Sequence, residues 1–256
     1  MQNAQAIVAG VVILAGGKSS RMGRDKATLS LPSGQRLIDY HIRQAARLNV
    51  PILIANNRLA LAFDDTLSDI DTAITTISDY HPSTLTDHEG AEGPLAGIAA
   101  ALDTVADGHK DNAPAWLMVL SCDSLITAPM LWQQLSAQVQ TSIVVPDDIN
   151  STFDARKTPS QNSSDTVNNT VICLTDDTHL HPLLGFYHLS LASDLKNYLD
   201  SGERRVMAFI KPKVQTVSYP QAWQPLTNFN TPDAFLRACA VLDEVSSIAT
   251  FNSFKQ

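Results

Sequence analysis

Four consecutive β-formers, Val11, Val12, Ile13 and Leu14, run directly into Ala15-Gly16-Gly17, and two cations, Arg21 and Lys26, follow at short range. An apolar run of this kind predicts a buried strand that delivers the chain to the edge of a sheet. Residues without bulky side chains then let backbone N–H groups approach oxyanions, and the basic side chains neutralise the charge. That order suits a polyphosphate site. A Gly-rich turn beside a solvated basic loop would also carry these residues.

Charge is distributed unevenly around this segment. The 256 residues carry a net charge of −8, which argues against a nonspecific nucleic-acid binder. Residues 1–58 hold eight Lys and Arg against two acids, a net of +6, while the remainder carries ten against twenty-four, a net of −14. An acidic chain that concentrates its cations around a Gly-rich turn is built to attract a small anion there. Residues 1–6 place no basic residue ahead of the first apolar run, so a secretory signal is not expected. That run is too short to span a bilayer. Cys122, Cys173 and Cys239 are far apart and form no CxxC pair, which fits a reducing, cytoplasmic setting and gives no support to a structural zinc site.

Short apolar runs alternate with helical patterns along the chain, the signature of an α/β fold with a mostly parallel sheet and helices on both faces. Strands are expected at 11–14, 52–55, 73–77, 116–120, 143–145, 171–174, 183–187 and 214–217. Helices are expected at 37–48, 95–102, 129–139, 191–200 and 232–245. Ser190 is the expected N-cap of the fourth helix, Gly202 lies just past its end, and Thr231-Pro232 opens the last one. The length suits a single domain over 1–245, followed by a flexible tail at 246–256. Residues 147–169 are rich in Ser, Thr, Asn and Asp and read as a polar surface insertion.

Several positions could carry chemistry. Asp123 follows the strand at 116–120, so it would stand in the crevice at the carboxyl end of the sheet. There it could hold Mg²⁺ on nucleotide phosphates, or serve only as a turn residue. Gly93-Pro94-Leu95-Ala96-Gly97 opens a helix of small residues, which suits either a ligand lying against the backbone or close helix packing. Asn228 and Asn230 offer uncharged donors and acceptors ahead of the last helix, or ordinary Asx capping. Arg204, in Gly202-Glu203-Arg204-Arg205, could reach a phosphate or sit in an exposed basic turn. His179 and His181 would share one face of a strand but have no third ligand nearby in sequence.

Taken together, Leu14-Ala15-Gly16-Gly17, Arg21-Met22-Gly23, Asp25-Lys26-Ala27, Gly93 to Ile98, Ser121-Cys122-Asp123, Gly202 to Val206 and Asn228 to Pro232 closely resemble the signature of molybdenum cofactor guanylyltransferases. The likeness runs from about Val11 to Leu236. It implies a Rossmann-like fold of the nucleotide-diphospho-sugar transferase kind and transfer of GMP from GTP to the terminal phosphate of molybdopterin, with pyrophosphate released. By the same resemblance Leu14, Ala15, Gly16, Lys26, Asp79 and Asp123 hold GTP. Gly93, Leu95, Gly97, Arg204, Asn228 and Asn230 line the molybdopterin side. Asp123 binds Mg²⁺, and Arg21, Lys26 and Asp123 are the catalytic set. The sequence departs from the family pattern at Ala55, where an asparagine is usual, although Asn56 and Asn57 follow.

A sugar-phosphate nucleotidyltransferase is a rival against which the 93–98 and 202–206 segments speak, and two further alternatives stand beside it. One is a CTP-using molybdopterin cytidylyltransferase, against which Gly16 speaks, because that branch usually carries Leu-Ala-Ala-Gly in the first turn. The other is a GTP-binding adaptor that delivers the cofactor without catalysis. The expected partners are GTP and molybdopterin as substrates, with transient contacts to other cofactor-assembly proteins and recipient enzymes. A monomer is expected, without nucleic acid or membrane.

Overall fold

The computed structural model describes residues 4–16, 26–56, 67–82, 93–106, 115–142, 170–176 and 178–253. The strand expected at 143–145, the 147–169 insertion, Gly17 and Arg21 lie outside these residues. Seven strands form one sheet: β1 (Val8–Leu14), β2 (Ile52–Ala55), β3 (Ile74–Ile77), β4 (Trp116–Ser121), β5 (Val171–Thr175), β6 (Leu180–His188) and β7 (Val214–Ser218). Their order is β3-β2-β1-β4-β6-β5-β7. Every neighbouring pair is parallel except the two that involve β6, which runs against both β4 and β5.

All seven residues of β1 and all six of β4 are buried, as a sheet covered on both faces requires. The two-residue period of the strands divides them between two cores. Val11, Ile13, Met118 and Leu120 pack with α1 (Leu37–Ala46), α3 (Ala128–Thr141) and α6 (Pro232–Ser253). Val12, Leu14, Leu117 and Val119 face the other way, toward α2 (Pro94–Ala106), α4 (Leu191–Asp200) and α5 (Val206–Ile210). The result is a three-layer sandwich of helices, sheet and helices.

The chain leaves β1 through α1, lays down β2 and β3 on one side, then crosses the opposite face through α2 to place β4 on the other side of β1. The carboxyl ends of β1 and β4 therefore flank a topological switch point, the crevice in which open α/β sheets bind ligands.

Helix boundaries mostly follow local chemistry. Thr127 accepts from the Met130 N–H at 3.4 Å to cap α3, with Pro129 in its first turn. Thr231 accepts from the Ala234 N–H at 3.2 Å, as its position before Pro232 predicts. Gly202 adopts φ +90° and its N–H bonds to the Leu199 carbonyl at 3.0 Å, closing α4 in a left-handed turn that suits glycine.

Ser190 does not cap α4. Its backbone is helical (φ −59°, ψ −16°), whereas a capping residue needs an extended backbone to fold its side chain over the first N–H groups. Its hydroxyl instead meets His188 Nδ1 at 2.8 Å. Two further differences concern length. α6 continues to Ser253, beyond the periodic stretch that ends at Val245, and α5 spans only five residues, too few for a helical period to register.

Candidate active site at the β1/β4 crevice

Ladder pairing continues to the rim of the crevice. The Ala15 N–H bonds to the Ala55 carbonyl at 3.1 Å, and the Cys122 N–H bonds to the Leu14 carbonyl at 3.2 Å. Gly16 is the first residue beyond this support. A methyl group built on Gly16 would meet nothing within 4 Å among the described residues. Its missing side chain thus leaves open space and relieves no contact among the described residues.

Lys26 opens a 3₁₀ turn (Lys26–Thr28) that is anchored by the fully buried Ala27. Its ammonium donates to Asn230 Oδ1 at 2.8 Å and lies 3.8 Å from Asp123 Oδ2. It also sits 5.7 Å from the centroid of the buried Phe229 ring, which in turn packs on Phe235. Three residues singled out in three separate motifs thus meet at one point. The Asp123 side chain keeps 35% of its exposure, so its carboxylate remains open to an incoming group.

The loop after β4 is fastened to the segment before α6. The Leu125 N–H and the Ser124 hydroxyl both donate to the Leu226 carbonyl, at 2.8 and 2.9 Å, and the Phe229 N–H donates to the Asp123 carbonyl at 3.0 Å. From beneath, His41 on α1 bonds through Nε2 to the Ser124 carbonyl at 2.8 Å. A carbonyl can only accept, so Nε2 carries the proton. Full burial lowers the His41 pKa to about 4, although the Ser124 bond and the nearby Asp123 charge both oppose that shift. Sequence reasoning missed His41. The available signal was its position on the buried stripe of α1, with Leu37, Ile38, Ile42 and Ala45.

The remaining expected residues divide into separate groups. A methyl group on Gly97 would lie 3.0 Å from Ala55 Cβ and 3.1 Å from both Asp79 Oδ1 and Leu14 Cδ2. Glycine there lets α2 press onto the ends of β1 and β2 beside Asp79. Gly97 therefore lies beside Leu14 and Asp79. Gly93 and the buried Leu95 form the first turn of α2, where the Gly93 carbonyl accepts from the Ala96 N–H at 3.1 Å. Arg204 donates through one nitrogen to the Leu199 and Glu203 carbonyls, both at 2.6 Å, and so closes the end of α4. Asn228 is exposed in the segment that carries Asn230.

No group of three or more His, Cys, Asp or Glu poised for a metal occurs among the described residues. Asp123 with Asn230 Oδ1 nevertheless suits Mg²⁺, which takes one or two protein oxygens and fills the rest of its shell with water and phosphates. A strongly hydrated hard cation does not need a preformed cage.

Residues 11–217 match the family model described as the MobA-like NTP transferase domain. The chain belongs to this family. It is similar to the molybdenum cofactor guanylyltransferase of Rhizobium meliloti (strain 1021), with 29% identity over 239 residues and 90% of each chain covered. A second relative with that name, from Sinorhizobium fredii (strain NBRC 101917 / NGR234), is 28% identical over 231 residues, with 86% of each chain covered. Among solved structures, molybdopterin-guanine dinucleotide biosynthesis protein A from Archaeoglobus fulgidus superposes with a TM-score of 0.58. It is 20% identical, and 92% of this chain and 99% of that one are covered. In this member of the MobA-like family, Lys26 and Asp123 lie inside the matched segment, and Asn230 lies beyond it.

Proposed function

We propose that this NTP transferase transfers GMP from GTP to the terminal phosphate of molybdopterin and releases pyrophosphate. The observation that carries the reading is the meeting of Lys26, Asp123 and Asn230 at the β1/β4 switch point. Its support is a family whose relatives over nearly the whole chain are named guanylyltransferases.

In the proposed reaction an oxygen of the acceptor phosphate attacks the α-phosphorus of GTP. The bond from that phosphorus to the bridging oxygen breaks, and pyrophosphate leaves with the electron pair. The attacking phosphate is already ionised, so no side chain need remove a proton, and no covalent enzyme species forms. Lys26 supplies positive charge where negative charge accumulates, and the fastened loops hold the geometry. The Lys26 ammonium lies beside the Asp123 and Asn230 oxygens. We assign these two residues to Mg²⁺, which when bound screens the phosphates and polarises the reacting phosphorus. Arg21 belongs to the same proposed cationic set. A cytoplasmic monomer with its three thiols reduced completes the reading; all three cysteines are free and buried.

Pyrophosphate release on mixing the protein with GTP, Mg²⁺ and molybdopterin tests the proposal. Release that requires all three supports it. GTP binding without release would favour a delivery adaptor, and equal release with CTP would overturn the choice of nucleotide.

A further inference from the structure

A second polar cluster stands on the same edge of the sheet, beyond the site described above. The carboxyl ends of β5 and β7 border a cavity of about 350 Å³ lined by Thr175, Asp176, Thr178, Ser218, Tyr219, Gln221 and Gln224. That volume is in the range of small-molecule pockets. An irregularity in the β5–β6 pairing builds its wall: Cys173 pairs with Gly185 while the next residue, Leu174, pairs with His181. The Tyr187 hydroxyl, donating to the Pro182 carbonyl at 2.9 Å, pins the displaced residues.

Asp176 organises this wall. Its Oδ1 accepts from the Thr178 N–H at 2.7 Å, the Thr178 hydroxyl at 2.8 Å and the His179 N–H at 2.7 Å. Its Oδ2 meets His181 Nε2 and accepts from the Tyr219 hydroxyl, both at 3.1 Å. These donors, those of Thr178 foremost, hold the Asp176 carboxyl well below the usual range. Both oxygens are committed, so Asp176 positions its neighbours and does not itself grip a ligand. Among the described residues it is the one charged group in the lining, and it is negative.

Beside the single hydroxyl of Ser218, the carboxamides available to read a ligand are those of Gln221 and Gln224. They lie three residues apart on the 3₁₀ helix Gln221–Leu226, whose three-residue turn places both on one face. Both border the cavity. Each carboxamide offers a donor beside an acceptor, the complement of a lactam or amidine edge on a flat heterocycle. Resting on the guanylyl reading above, we infer that this cavity takes the pterin end of the acceptor, a 2-amino-4-oxo fused ring read by Gln221 and Gln224.

Strand order supports the acceptor over the base of GTP. Leu14, Ala55 and Asp79 stand at or just beyond the ends of β1, β2 and β3, Asp123 follows β4, and the cavity lies at β5 and β7 on the far side. From β4 to β5 and β7 is two or three strand spacings, about 10–14 Å. A fused ring joined to a phosphate ester through one methylene covers that span. Charge sets its direction, with the phosphate drawn toward Lys26 and kept from the anionic wall at Asp176.

The test is a Gln221→Ala/Gln224→Ala variant. Both side chains are exposed, so the melting temperature should not move. In GMP transfer its KM for molybdopterin should rise about tenfold with the KM for GTP unchanged. Binding of 6-hydroxymethylpterin, a phosphate-free probe followed by its fluorescence, should weaken by a similar factor. An unchanged acceptor KM in an active enzyme overturns the pocket and leaves the guanylyl reading standing, and a rise in the GTP KM instead assigns the cavity to guanine. A wild-type protein that binds the pterin through these glutamines yet transfers no GMP keeps the pocket and overturns the guanylyl reading.

Discussion

Lys26 and Asn230 stand 204 positions apart and share a 2.8 Å hydrogen bond at the mouth of the crevice. The contact joins the first Gly-rich turn to the segment before the last helix. It also places a cation beside the partly exposed Asp123 carboxylate at the switch point.

Lys26→Ala should lower the rate of GMP transfer by roughly 10²-fold or more, the scale of losing one electrostatic stabiliser aimed at developing charge. Ala27, fully buried in the same turn, still anchors the segment, so the fold should persist. Turnover is compared after circular dichroism has shown that the variant is folded. A near-normal rate would remove Lys26 from the chemistry.

Asp123→Asn keeps the size of the side chain and removes the charge that draws a divalent cation. Its carboxylate is partly exposed and its backbone carbonyl still accepts from Phe229, so the loop should hold. Single-turnover transfer across a magnesium titration should show a loss of rate far larger than the loss of GTP affinity. Wild-type behaviour at saturating metal would reduce Asp123 to a turn residue.

Gly16→Ala adds a methyl group that meets nothing within 4 Å among the described residues. GTP use should fall more than CTP use, because a purine is crowded before a pyrimidine. The ratio of kcat/KM for the two nucleotides measures this. An unchanged ratio means that this turn does not choose the base.

His41 sets a pH dependence. Its folded pKa of about 4 lies below the ordinary histidine value of 6.5, so the unfolded chain binds the proton more readily. Stability from this residue is therefore complete above about pH 6.5 and is lost as the pH falls toward 4, by about 3 kcal/mol in all. His41→Gln keeps an N–H near the Ser124 carbonyl but cannot titrate. Urea unfolding at pH 4.5 and 7.5 should show a smaller difference in the variant than in the wild type. Equal differences would mean that His41 does not govern the acid loss.

The layered α/β architecture was legible because buried strands and one-sided helices leave periodic apolar patterns. β1, with no polar residue in seven, and α1, with its stripe of Leu37, Ile38 and Ile42, are clear cases. The reversal of β6 was not legible, since a strand buried on both faces carries the same residues in either direction. Ser190 misled because a serine before a helix caps it only when its backbone is extended. Within the site, Lys26, Asp123 and Asn230 were visible one motif at a time, and their meeting depends on tertiary pairing that no local spacing encodes. At Gly97 the residue type was informative, but the neighbours that need it small, Leu14, Ala55 and Asp79, come from three other segments. The glutamines facing the β5/β7 cavity gave no signal, because polar residues in a turn look like ordinary solvated surface.

The fastening of the loop after β4 to Leu226 sets a condition on chain length. Ser124 and Leu226 are 102 positions apart, so the segment that bears Asp123 is synthesised long before its anchor. A chain that stops short of Leu226 retains every strand of the sheet but leaves the Leu125 N–H and the Ser124 hydroxyl without their shared acceptor. The sheet alone is thus unfinished, and the loop that bears Asp123 is fastened only when about the last eighth of the protein has folded back onto it.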